Sequence, residues 1–134
     1  MGTRSLVIVK EGDLNSNDIM VIYRQYDGYP AGMGLDLFDK FGNHTVVNGF
    51  NSHTAENFAN GMHCLSAQIV WHLKGGEIGN VYLYPAGTRD YDEEYIYIIY
   101  LKNDELHLQV EDVWGKKIIF NQRFSEFFVP EEVE

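Results

Sequence analysis

Hydrophobic positions recur along this chain in two rhythms, one of two residues and one of three to four. Residues 5–9 (SLVIV) form an unbroken apolar run, the pattern of a strand buried on both faces. After the polar loop EGDLNSND a second strand is expected over residues 19–26, with Ile19, Val21 and Tyr23 facing one way and Met20, Ile22, Arg24 and Tyr26 the other. The two runs predict a hairpin. Leu35, Leu37, Phe38 and Phe41 predict a short helix, closed by Gly42 in the left-handed conformation that glycine accepts. A polar loop over residues 43–54 leads to the strongest helical pattern, residues 55–73, where Phe58, Met62, Leu65, Ile69 and Leu73 place one apolar stripe on a core. Gly75-Gly76 should end it. Gly61 inside it, at about 1 kcal/mol relative to alanine, predicts a close approach of the helix to the sheet.

The second half reads as a strand meander over residues 78–84, 95–101, 106–110 and 116–121, rich in tyrosine and isoleucine. Asn103-Asp104 and residues 112–115 supply turn signals between the last three. Leu106, Leu108 and Val110 alternate with His107, Gln109 and Glu111, as in a strand with one wet face. A helical turn is expected over residues 125–128. About six strands, with the helices grouped between the two halves, predict an α+β fold with a largely antiparallel sheet, one long helix and one short one. The expected organisation is a single domain over residues 1–129, followed by an acidic tail over 130–134.

Composition narrows the class. The chain has 134 residues, 45% hydrophobic and 14% aromatic, enough to bury a core without disulfides or metal. Twenty acidic against ten basic residues leave a formal net charge of −10. Such a balance repels phosphate backbones and anionic membrane surfaces, so direct nucleic-acid binding is not expected. No apolar run is long enough for a membrane span, no signal-peptide pattern opens the chain, and Cys64 is the single cysteine. These features predict a cytoplasmic protein.

The main candidate for chemistry is the stretch IYRQYDGYPAGMG. A hairpin brings Arg4 and Arg24 to one edge of the sheet, with Asp27 close behind. Two guanidiniums, a carboxylate and the hydroxyls of Tyr23, Tyr26 and Tyr29 suit an anionic or planar ligand. The competing reading is an Arg–Asp pair that pins the corner, with the tyrosines packed against it. Gly28, Gly32 and Gly34 have neither the dinucleotide nor the P-loop spacing, and turn chemistry explains them better. The five histidines, His44, His53, His63, His72 and His107, fit no zinc spacing, and Cys64 beside His63 cannot pair with it on a helix. No catalytic group, metal or cofactor is therefore predicted. Gly-Thr-Arg occurs twice, at residues 2–4 and 87–89, without matching flanks.

The acidic stretch Arg89-Asp90-Tyr91-Asp92-Glu93-Glu94 alternates carboxylates but lacks the central glycine and distal glutamate of an EF-hand. Asp90, Tyr91, Asp92, Glu93 and Glu94 instead make an acidic, aromatic surface suited to a partner rich in arginine and lysine.

MGTRSLVIV together with YRQYDGYPAGMG resembles a group of small uncharacterised bacteriophage and bacterial proteins that open with a Gly-Thr-Arg strand and carry a Tyr-Arg-Gln-x-Asp-Gly-Tyr-Pro segment. The resemblance covers roughly the first 40 residues, with a weaker echo in EYIYIIY. It implies a phage-like context and adds weight to Arg4, Arg24, Asp27 and Tyr29, but no activity. Members of the group often carry Gly-His-Gly where this chain has Gly32-Met33-Gly34, which removes a histidine catalyst there. The favoured expectation is a non-enzymatic acidic binding protein, of the kind a phage encodes to inhibit a host nucleic-acid-handling or defence protein by covering its basic surface. The alternatives are a nucleotide-like ligand site or hydrolase at the Arg4/Arg24/Asp27/Tyr29 corner, and a structural protein that self-associates through edge strands.

Overall fold

The computed structural model of the chain describes residues 2–49 and 57–130. Their centre is a six-stranded sheet in the order β5-β2-β1-β6-β7-β8. Its strands are β1 (Ser5–Lys10), β2 (Asp18–Arg24), β5 (Val81–Tyr84), β6 (Tyr95–Lys102), β7 (Glu105–Asp112) and β8 (Lys117–Arg123). A two-stranded sheet of β3 (Thr45–Val47) and β4 (Phe58–Asn60) is separate from it. The helices are α1 (Leu35–Phe41), entered through a π-helical turn over Pro30–Gly34, and α2 (Gly61–Lys74). The architecture is α+β, mostly antiparallel, as the grouping of strands and helices predicted.

The unbroken apolar run of β1 reflects its place at the middle of the sheet. It pairs antiparallel with β2 on one side and parallel with β6 on the other, and all six residues are buried. Val7 and Val9, with Met20 and Ile22 of β2 and Tyr97 and Ile99 of β6, face the main core with Met33, Leu37 and Phe41 and with the α2 stripe Met62, Leu65, Ile69 and Leu73. The opposite face carries a smaller buried set, Leu6, Ile8, Val21 and Ile96, with Tyr23, Tyr84, Ile98 and Val113 packed against it. The helices thus cover one face only.

Five expectations change. The predicted four-strand meander contains only β6, β7 and β8, because β5 crosses to the far edge and pairs antiparallel with β2. That strand also starts later than residue 78, since Gly79 (φ 78°) and Asn80 (φ 65°) take left-handed backbone that no strand contains. The long helix begins at Gly61: Phe58 belongs to β4, paired parallel with β3, and residues 55 and 56 lie outside the described residues. Gly61 has φ 85° and open space where a Cβ would sit, so the left-handed turn into the helix requires glycine there, and no close approach to the sheet does. Gly42 shows the reverse. Its φ is −57°, and an added Cβ would lie 2.5 Å from Phe38 Cδ1, so crowding rather than a left-handed cap selects glycine.

Other signals appear where they were read. Gly75 caps α2 with φ 52°. Asn103 and Asp104, both with positive φ, form the two-residue turn of the β6–β7 hairpin. The last helical turn falls at Phe124–Glu126, one residue before the expected start, with Phe124 fully buried. The expected tail, apart from Pro130, lies outside the described residues.

Candidate functional site

The predicted corner is built from the end of β2 and the turn after it. Strand alternation sends neighbouring side chains to opposite faces, so Arg24 follows Met20 and Ile22 to the helix-covered side while Tyr23 follows Val21 to the open side. On the covered side Arg24 donates from Nη1 to Asp36 Oδ2 at 2.9 Å and from Nε to the Tyr26 carbonyl at 2.9 Å. Asp36, from α1, also meets His72 Nε2 of α2 at 2.9 Å. One carboxylate therefore joins β2 to both helices. The Arg24 side chain is only 14% exposed, and its Nε and Nη1 are occupied within the fold.

The Arg–Asp pair that pins this corner is real, but its carboxylate is Asp36 and not Asp27. Asp27 instead accepts from the Tyr29 hydroxyl at 3.2 Å, and its backbone turns with φ 59° while its carbonyl receives the Met33 N–H at 2.9 Å. The Gly28 N–H meets the Thr3 carbonyl, and the Gly28 carbonyl accepts from the buried Tyr97 hydroxyl at 2.6 Å. Tyr26 is half exposed, with its N–H on Asn80 Oδ1. Arg4 precedes Ser5, which lies opposite Arg24 in the β1–β2 register, but no hydrogen bond or ion pair of its side chain occurs among the described residues. A hollow of about 380 Å³ opens beside Tyr29, Thr3, Ala31, Glu94 and Pro130. Among the described residues, Glu94 is the one charged residue in its lining, and its sign opposes an anion.

The open face brings together residues that the sequence reading kept apart. Tyr23 is the centre of a tyrosine cluster, with ring centroids 6.2 Å from Tyr82, 6.0 Å from Tyr84 and 5.9 Å from Tyr91. Tyr84 and Tyr91 lie 4.5 Å apart. Tyr82 and Tyr84 come from β5, in register with Tyr23 and Val21 of β2. Tyr91 comes from the loop before β6. Burial pushes the Tyr84 hydroxyl up from its ordinary pKa, and the Tyr91 hydroxyl and the phenols of Tyr23 and Tyr82 add to the shift. Tyr82 and Tyr91 remain 43% and 46% exposed, so the cluster offers ring surface to solvent. Lys74 of α2 lies 5.6 Å from the Tyr82 ring centroid while its ammonium donates to the Gly79 and Val81 carbonyls.

The acidic loop divides by role. Glu93 is buried, and its carboxylate accepts from the backbone N–H of Tyr91 at 2.6 Å and of Asp90 at 3.3 Å. Glu94 is tied by its backbone, donating to the Arg4 carbonyl and accepting from the Val113 N–H. Asp90 and Asp92 stay exposed, both with left-handed backbone, on either side of Tyr91. The presented surface is therefore Asp90, Tyr91 and Asp92, held from beneath by Glu93 and Glu94.

A separate charge cluster closes the other end of β2. Asp18, 5% exposed at its side chain, accepts from Lys10 at 2.7 Å, from Arg89 at 2.9 Å and from the Gly87 N–H at 2.9 Å. Burial pushes its carboxyl up, but these donors outweigh that effect and hold it at about 2 against an ordinary 3.8. The second Gly-Thr-Arg thus acts in a clasp between the strand after the first loop and the turn after β5. His44 of the predicted loop meets the Phe41 ring edge-on, with centroids 5.0 Å apart, and burial, then the nearby Lys40, lowers its pKa. His53 lies outside the described residues. Among the described residues, no three His, Cys, Asp or Glu side chains gather as a metal site would require, and no helix is long and apolar enough to cross a membrane.

Of the six corner residues, Tyr23 joins the open tyrosine cluster, Arg24 pairs with Asp36 of α1, and Arg4, Tyr26, Asp27 and Tyr29 stay near the turn. Sequence reasoning missed Tyr82 and Tyr84. Their spacing in the strand Val-Tyr-Leu-Tyr already places both rings on one face, but nothing local says that this face meets Tyr23. Comparison with protein-family models, with characterised proteins and with solved structures returns no significant match to this chain.

Proposed function

We propose that this chain is a non-enzymatic acidic binding protein that docks on a basic surface of a partner protein. The observation that carries the reading is the open sheet face, where four tyrosines meet with two of their rings well exposed and Asp90 and Asp92 flank one of them. Exposed aromatic area supplies contact at low entropic cost, and the carboxylates and the net charge of −10 set the sign of the partner. A host nucleic-acid-handling or defence protein is the natural class of target, since such proteins present arginine and lysine to phosphate. The resemblance of roughly the first 40 residues to bacteriophage proteins adds a phage-like context, and inhibition of such a target is the role proposed for it.

The test is retention of partners from host lysate on the immobilised chain at low and at high salt. Basic proteins are expected at low salt and are lost as salt screens the contact. Absence of any basic partner at low salt removes the reading. The anionic-ligand alternative at Arg24 is less favoured, because Asp36, the Tyr26 carbonyl and the Met33 thioether already surround that guanidinium. A nucleotide that raised the melting temperature of the wild-type chain but not of Arg24→Ala would restore it. Self-association through edge strands is better suited to β8 than to β5, whose Val81 N–H and C=O are taken by Gly79 and Lys74.

A further inference from the structure

The chemistry of the open face is more specific than a preference for positive charge, and an inference about it rests on the docking reading above. We infer that the Asp90-Tyr91-Asp92 face recognises an arginine side chain of its partner in preference to a lysine. Three observations lead there. First, Tyr91 is 46% exposed yet its ring is fixed, 4.5 Å from Tyr84 and 5.9 Å from Tyr23 by centroid. A fixed, part-exposed ring suits a flat cation: guanidinium stacks on aromatic rings, and it sheds water more readily than an ammonium does.

Second, Asp90 and Asp92 are exposed and adjoin Tyr91 in the chain, so carboxylates that can accept from the forked N–H groups of a guanidinium are carried within one residue of that ring. Third, Lys74 lies near Tyr82 of the same cluster, but two backbone carbonyls hold its ammonium. A lysine satisfied by carbonyls already covers the β5 side of the cluster; the Tyr91 side has carboxylates and no cation over its ring among the described residues. The occupant that matches aromatic face and paired carboxylates is arginine.

Oligo-arginine and oligo-lysine peptides of equal length serve as probes, titrated into the full chain by calorimetry at one salt concentration. The arginine peptide is expected to bind about tenfold tighter, a difference within the range of one stacked cation. Tyr91→Ala is expected to abolish the preference, and Tyr91→Phe, which keeps the ring face, to retain it; thermal unfolding checks that both variants are folded. Asp90→Asn with Asp92→Asn is expected to weaken both peptides. Equal binding of the two peptides overturns the arginine inference and leaves the basic-partner reading standing. Binding of neither overturns both. A preference that survives in Tyr91→Ala overturns the placement at this ring.

Discussion

Tyr23 and Arg24 are neighbours in one strand, and the molecule uses them in opposite ways. Arg24 turns under the helices, where Asp36 pairs with it and meets His72, joining β2, α1 and α2. Tyr23 turns to the face without helices, where Tyr82, Tyr84 and Tyr91 collect around it. The first arrangement ties Nε and Nη1 of the guanidinium into the fold. The second leaves ring edges and faces available. A residue type that suggests binding therefore says little until its face is known, because a shift of one position along a strand exchanges a structural pin for exposed ring surface.

If that contrast is right, substitutions on the two sides must separate stability from binding. The largest loss of stability is expected for Arg24→Leu, which strands the Asp36 carboxylate beside His72 and frees the Tyr26 carbonyl. About 2–3 kcal/mol should disappear in urea unfolding, with no change in affinity for oligo-arginine. A loss of peptide affinity in this variant, at full folding, would place Arg24 in the binding surface and collapse the contrast.

Acid sharpens the comparison at the far end of the same strand. The Asp18 carboxyl sits at about 2 in the folded chain against 3.8 ordinarily. A lowered folded pKa contributes stability that is present above pH 3.8 and fades as pH falls towards 2, worth about 2 kcal/mol in all. Asp18→Asn should flatten the stability profile across that window and leave the open face untouched. An unchanged profile in this variant would show that Lys10 and Arg89 do not hold the carboxylate as drawn.

Smaller effects are expected on the open side. Glu93→Ala removes the acceptor for the Asp90 and Tyr91 amides and should cost about 1–2 kcal/mol, with faster amide exchange at both positions. Peptide binding should weaken as well, since the two aspartates lose their fixed backbone. Tyr91→Ala should cost least in stability, under about 1 kcal/mol for so exposed a ring, while removing the preference for arginine. The order of these variants by stability is thus the reverse of their order by binding.

Much of the fold could be read from patterns. The apolar run of β1, the alternation in β7, the stripe of α2 and the turn pair Asn103-Asp104 each express a local rule strongly enough to be seen without neighbours. The start of α2 was read too early because Phe58 fits the helical period as well as it fits β4, and a period alone cannot separate the two. The placement of β5 was missed because nothing in Val-Tyr-Leu-Tyr chooses between the edge of β2 and that of β6. The candidate site was legible only in parts: Tyr23, Asp90, Tyr91 and Asp92 were picked out, Tyr82 and Tyr84 were not, and Glu93 was taken for surface although it is buried.

What the sequence determined by itself is what depends on near neighbours or on composition: which residues alternate, where the backbone must turn left-handed, and a net charge of −10. The tertiary structure alone decided which carboxylate Arg24 would meet and that Tyr23, Tyr82, Tyr84 and Tyr91 would share one face. The physical reason is distance along the chain. Asp36 is twelve residues from Arg24, and the tyrosines are separated by up to 68 positions, 23 to 91. Contacts over such separations are selected by the closing of the whole core and not by any local preference, and the surface proposed for binding is made of such contacts.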